Sequence, residues 1–240
     1  MKAGGYGNRE IIIRINGLES EWGEADLEAA AQTGADGILV PKVNSANDIL
    51  DAAERKKQAG GAASQQMWAM IETPLGVLNA QEIAAAATDA NLTCFILGTN
   101  DLLKETRAQF VPDRSPVLAW LSTAVIAARA YGLDVIDGVY NNFRDEDGLV
   151  AEAEQGRALG MDGKTLIHPG QVAAANTIFS PAEDEVDWAA KVIDAFKQPE
   201  NAGKGVITVD GVMVERLHEE MARRTAAIAE AIKIREEAAA

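Results

Sequence analysis

The sequence predicts an α/β fold of parallel strands joined by helical crossovers, and within that class a (β/α)8 TIM-type barrel lacking its first two strand-helix units. Three observations point there. Short apolar runs rich in β-branched residues alternate with Ala-rich helical stretches along most of the chain. Two of these runs, Met67-Trp68-Ala69-Met70-Ile71-Glu72 and Cys94-Phe95-Ile96-Leu97-Gly98-Thr99-Asn100-Asp101, each close on one acid, at the end where parallel α/β folds place their ligands. Six strand-helix units can be counted, whereas a closed barrel needs eight. Two more units would add roughly 60 residues and would precede Met1. An open six-strand sheet fits the same periodicity and remains the alternative.

Each element has a local cause. The run Glu10-Ile11-Ile12-Ile13-Arg14-Ile15-Asn16-Gly17 is β-branched and ends in a turn. Residues 24–33 form a short Ala-rich helix stopped by Gly34. Gly37-Ile38-Leu39-Val40-Pro41-Lys42 is the next strand, and Ser45 caps a helix that Gly60-Gly61 terminates. The strand ending in Glu72, a helix near residues 80–87 and the strand ending in Asp101 follow. Ser115-Pro116 reads as an N-cap with proline at the first helical position, opening a helix that Gly132 ends. Asp134-Val135-Ile136-Asp137-Gly138-Val139 is a strand, residues 146–159 a helix stopped by Gly160, and Lys164-Thr165-Leu166-Ile167-His168-Pro169 a last strand and its exit. Two further helices span about residues 170–178 and 182–197.

The character then changes. Asn201-Ala202-Gly203-Lys204-Gly205 reads as a flexible link. Two valine-rich runs flank Asp210-Gly211, a strong hairpin signature, and a polar helix follows from Glu215. The expected division is a barrel domain over residues 1–200 and a hairpin-helix lid or oligomerisation segment over residues 201–240. With so little apolar surface, that segment is expected to lie on a neighbour.

Composition narrows the function. Hydrophobic residues make up 48% of 240, enough for a sizeable core. A formal charge of −15 argues against nucleic acid, which requires a basic footprint. One cysteine, Cys94, excludes an intrachain disulfide and fits a reducing cytoplasm. No apolar run reaches the roughly 20 residues of a membrane helix.

The candidate chemistry rests on few residues. Neighbouring strands lie about 4.8 Å apart, so Glu72 and Asp101 at matching ends of adjacent strands could share one cation. All-oxygen ligation suits Mg2+ better than Zn2+. The plainer reading is two acids at strand ends facing solvent. Arg14 closes an otherwise apolar strand and must meet an anion or water. Its planar fork suits a carboxylate or an enolate oxygen, although Glu19 or Asp36 could simply pair with it. His168 reads as a hydrogen-bonded loop residue, His218 as solvated and Cys94 as a small core hydrophobe. Asp145-Glu146-Asp147-Gly148 reads as acids favouring a helix start.

Five segments occur in a telling order: Arg14-Ile15-Asn16-Gly17-Leu18, Val40-Pro41-Lys42, Ile71-Glu72-Thr73-Pro74-Leu75-Gly76, Ile136-Asp137-Gly138-Val139-Tyr140 and Gly163-Lys164-Thr165-Leu166-Ile167-His168-Pro169-Gly170-Gln171. In them the chain resembles the citrate lyase beta-subunit-like branch of the HpcH/HpaI aldolase superfamily. The resemblance implies a (β/α)8 barrel, Mg2+, a homo-oligomer (a trimer) and carbon–carbon cleavage of malyl-, citramalyl- or citryl-type CoA thioesters to a 2-oxo acid and an acyl-CoA. It also implies that Glu72 and Asp101 hold the metal and that Arg14 meets the substrate. The backbone amides near Asn100 and Asp101 would face its carboxylate, and Glu215 would be an acid/base supplied to a neighbour's site. Two departures stand out. The family's first two strands are absent, and better-known members carry aspartate where this chain has Glu215. A thioesterase acting on the same ester, or a non-catalytic assembly subunit, are the competing expectations.

Overall fold

A computed structural model of the chain describes residues 6, 7 and 9–239. The chain forms two compact units, the first ending at Ala175 and the second beginning at Asn176.

The first unit is built on a six-stranded parallel sheet. Its strands are β1 (Ile12–Arg14), β2 (Gly37–Val40), β3 (Gln66–Ile71), β4 (Leu92–Leu97), β5 (Asp134–Asp137) and β6 (Gly163–Lys164). They lie side by side in chain order, all parallel. A doubly wound sheet reverses its strand order at a switch point. No reversal occurs here, so the sheet advances in one direction, as barrel strands do. The crossovers are α1 (Gly23–Ala31), α2 (Ala46–Gln58), the short run α3 (Pro74–Leu78), α4 (Ala80–Ala85) and α5 (Ala87–Ala90), then α6 (Thr99–Thr106), α7 (Leu118–Ala130) and α8 (Glu146–Ala158).

The helix-covered face holds the main core, with Ile38, Val40, Met67, Ala69, Ile71, Phe95, Leu97 and Val135 meeting Leu27, Ile49, Ile83 and Leu121. The opposite face carries a smaller cluster of Leu39, Cys94 and Ile96 with Ile12, Trp68, Met70 and Ile136. In β3 the residues alternate between buried and half-buried, so this strand is less enclosed than its apolar run predicts.

Several local signatures hold. Ser45 caps α2 in a full capping box with Asp48. Gly34, Gly132 and Gly160 follow α1, α7 and α8 with positive φ of 73°, 75° and 93°, the left-handed geometry that ends helices. Two expectations need correction. Ser115 does not cap α7, which starts at Leu118 after Val117, because Arg114 takes a left-handed turn (φ 54°) and its side chain is drawn into the core. The last strand of the sheet is only Gly163–Lys164, since beyond it the chain turns into the 3-10 turn Pro169–Gln171.

The second unit contains the second half of α9 (Val172–Phe179), then α10 (Glu183–Lys197), the hairpin β7 (Val206–Val209) and β8 (Val212–Glu215), and α11 (Arg216–Ala239). Asp210 and Gly211 both have positive φ, 49° and 82°, as the tight hairpin turn requires. Ala189, Val192 and Phe196 of α10 share one core with Ile207, Val209, Val214 and Ala222. Helix α10 therefore belongs to the hairpin unit, and the compact boundary lies ahead of the Gly-rich link rather than at it.

Candidate functional site

Glu72 follows β3 directly. Thr73 then caps α3 by accepting a hydrogen bond from the Gly76 N–H at 2.9 Å, and Pro74 takes the first helical position. The order Glu-Thr-Pro thus makes strand end, cap and helix start in three residues, which leaves Glu72 no freedom to drift. Its carboxylate accepts the Lys42 N–H at 2.9 Å. Lys42 has φ 51°, a left-handed conformation at the end of the neighbouring strand.

Glu72 is only 5% exposed. Burial pushes its pKa up to about 7, reinforced by a hydrogen bond to Asp101, while the Lys42 N–H pulls the other way. The two carboxyl groups are therefore neighbours. Asp101 does not close a strand as expected. It sits in the first turn of α6, with Gly98 at the N-cap. The helix start carries it back over the end of β4, toward Glu72.

Gly98 explains how they meet. A Cβ there would collide with the Cβ of Glu72 and lie 2.8 Å from its Oε2. The glycine is the floor on which the Glu72 side chain rests. Two adjacent oxygen-donor groups, one desolvated, fit a hard divalent cation that keeps several waters. Among the described residues no group of three or more His, Cys, Asp and Glu gathers as a metal site.

Arg14 ends β1 exposed. Neither acid suspected of pairing with it does so, for Asp36 accepts the Ile11 N–H instead. Asn100 is exposed beside Asp101 and exchanges amide hydrogen bonds with Asn141 at 3.0 and 2.8 Å. A small pocket flanks this helix start, lined in part by Thr99, Asn100, Leu103, Phe110, Tyr140 and Asn141.

Glu215 ends β8 in the second unit, half-buried, and its N–H donates to His218 Nδ1 at 2.9 Å. His218 is thus a backbone acceptor at the start of α11 rather than a merely solvated residue. His168 behaves alike, accepting from the Gly170 N–H at 3.0 Å and stacking on Phe143 at 4.8 Å. Cys94 is buried, and burial raises its thiol pKa, which suits a core role. Asp145 caps α8, accepting from Gly148 N–H at 3.0 Å and Tyr140 OH at 2.6 Å.

Sequence reasoning missed Lys42 as a backbone donor, Gly98 as a floor and Asn141 as the partner of Asn100. Only the glycine left a trace, as a residue without β propensity at the close of an apolar run.

Residues 1–169 match the HpcH/HpaI aldolase/citrate lyase family. A (3S)-malyl-CoA thioesterase of Cereibacter sphaeroides (strain KD131 / KCTC 12085) is 51% identical over 227 residues, covering 95% of this chain and 76% of that protein. The citrate lyase subunit beta of Escherichia coli (strain K12) is 36% identical over 237 residues, covering 97% and 78%. A crystal structure of CitE from Mycobacterium tuberculosis in complex with magnesium, acetoacetate and coenzyme A superposes with a TM-score of 0.71 at 28% identity, covering 90% and 78%. In fold, in the order of its segments and in sequence, the chain belongs to the HpcH/HpaI aldolase/citrate lyase family.

Proposed function

We propose that the chain is an enzyme acting on malyl-, citramalyl- or citryl-type CoA thioesters, with Mg2+ held by Glu72 and Asp101. The observation that carries this reading is a desolvated carboxyl pressed against a second one, an arrangement that a divalent cation relieves. The magnesium and coenzyme A in the CitE crystal structure support the same choice. When bound, Mg2+ supplies a Lewis acid that orients the carboxylate and hydroxyl end of the substrate.

The chain's own residues account for the rest. The backbone N–H groups at Asn100 and Asp101 hold the distal carboxylate. Arg14 is exposed at a strand end and has no acid partner among the described residues. It meets the thioester oxygen and stabilises negative charge as it develops there. Glu215 moves the proton, supplied from another copy in a homo-oligomer, a trimer by family pattern. The six-strand sheet is read as six consecutive units of a (β/α)8 barrel, a reading that its unreversed strand order supports.

The same groups can serve two reactions. In hydrolysis, Glu215 takes a proton from the water as it adds to the thioester carbonyl, Arg14 faces the oxyanion, the C–S bond breaks and Glu215 returns the proton to the leaving CoA sulfur. In carbon–carbon cleavage, Glu215 takes the hydroxyl proton, the bond from the hydroxyl carbon to the thioester arm breaks to leave a 2-oxo acid and a thioester enolate, and Glu215 returns the proton to the enolate carbon. The thioesterase relative at 51% identity favours hydrolysis. The citrate lyase subunit at 36% keeps cleavage as the second reading.

Product analysis decides between them. With malyl-CoA and Mg2+, hydrolysis releases free CoA thiol and no 2-oxo acid. Formation of 2-oxo acid with the thioester intact makes the chain a lyase. If neither product forms with any of the three esters, a non-catalytic assembly role replaces both.

A further inference from the structure

The exit of β5 is tied to the start of α6 by groups that the proposed chemistry leaves unused. Asp137 is fully buried, and Arg114 Nη1 donates to both its oxygens at 2.8 Å. Lys164 Nζ donates to Asp137 Oδ2 at 3.2 Å and to Glu152 Oε1 at 2.6 Å. Two cations and two carboxylates thus neutralise one another out of water, with their hydrogen bonds made.

This network grips one residue on both sides. The Gly138 N–H donates to Asp137 Oδ1 at 2.8 Å, and the Gly138 carbonyl accepts from Lys164 Nζ at 2.8 Å. Gly138 in turn abuts the next strand exit. A Cβ there would lie 2.6 Å from Thr99 Oγ1 and 2.8 Å from the Leu97 carbonyl. Three residues further on, Asn141 and Asn100 exchange their amide hydrogen bonds. Helix α6 has no side-chain cap of its own, because Gly98 occupies the N-cap. A helix start leaves N–H groups unpaired, and a cap side chain ordinarily steadies it. Here the hold comes from the neighbouring strand exit.

We propose that Asn141, seated by the Asp137–Lys164 network, is a positioning residue that holds the first turn of α6 so that the Asp101 carboxyl stays beside Glu72. The proposal rests on the reading of Glu72 and Asp101 as cation ligands. Asn141 and Asn100 are both exposed, so their replacement leaves the core intact.

The test uses the full chain, without metal and then with it. In Asn141→Ala, amide hydrogen exchange across residues 99–103 is expected to rise about fivefold, the equivalent of one lost hydrogen bond, with α7 unchanged. Calorimetry is expected to give Mg2+ affinity weaker by about the same factor, with the melting temperature held within about 2 °C. Asn100→Ala should do the same, and the double variant should be no worse than either alone. Unchanged exchange across residues 99–103 overturns the proposal, as does faster exchange with unchanged Mg2+ affinity, or strictly additive losses in the double variant. A wild-type chain that binds no Mg2+ overturns the cation reading itself, while the metal-free exchange measurement still decides whether Asn141 holds the helix start.

Discussion

On the proposed reading Glu72 serves two opposing demands, since burial makes its charge costly and cation binding would require that charge. Its pKa is raised from 4.5 to about 7. In the metal-free chain the protonated form is therefore favoured below about pH 7, and the stability this residue contributes is fully present below its unfolded value and is lost as pH rises through about 7. Mg2+ binding needs the carboxylate and must release the proton. Mg2+ affinity is then expected to climb between about pH 5.5 and about pH 7.5 and to level off above. Calorimetry in buffers of different ionisation enthalpy checks both the climb and the proton. Glu72→Gln should abolish the binding and the pH dependence together while the fold survives. A second residue-level expectation concerns Gly98. Gly98→Ala should weaken Mg2+ binding more than about tenfold, because the added methyl would occupy the place of the Glu72 side chain and overpacking forces shifts costing about 1–3 kcal/mol. Unaltered titration of a well-folded Gly98→Ala chain would remove the glycine from the site.

The elements form where local chemistry is strong. Helix α2 has the complete reciprocal cap of Ser45 and Asp48. Ser45→Ala is expected to destabilise the chain by about 1 kcal/mol, read as a lower urea midpoint with unchanged slope and an unchanged Mg2+ titration. The hairpin behaves likewise, with Asp210-Gly211 adopting the backbone its composition demands. Ser115-Pro116 shows where such reading stops. The dipeptide has the makings of a cap, yet the helix begins later, because buried partners for Arg114 outweigh a local cap. Asp101 shows the same. As the close of an apolar run it read as a strand residue, but β4 ends at Leu97 and the helix begins at Thr99.

At the level of the molecule, the expectation that Glu215 works in trans remains the most exposed to test. Glu215→Gln and Arg14→Lys should each be inactive, the second because a point charge cannot replace a bidentate fork. Mixed after subunit exchange, they should regain part of the activity, since some interfaces would pair an intact Arg14 with an intact Glu215. Activity assays on the mixture check this. No recovery despite proven exchange, or full activity of Glu215→Gln alone, would place the acid/base elsewhere.

Six strands, their helical crossovers, the hairpin and the place of Glu72 at a strand end could all be read from residue order, because alternation, caps and turn dipeptides act over a few neighbouring residues. The unreversed strand order, the floor at Gly98, the Asn100–Asn141 exchange and the Arg114–Asp137–Lys164–Glu152 network could not. Arg114 lies 23 residues from Asp137, and Lys164 lies 27 from it. No local rule links such positions. Their pairing is decided only when the sheet places successive strand exits side by side and burial makes every unpaired charge costly.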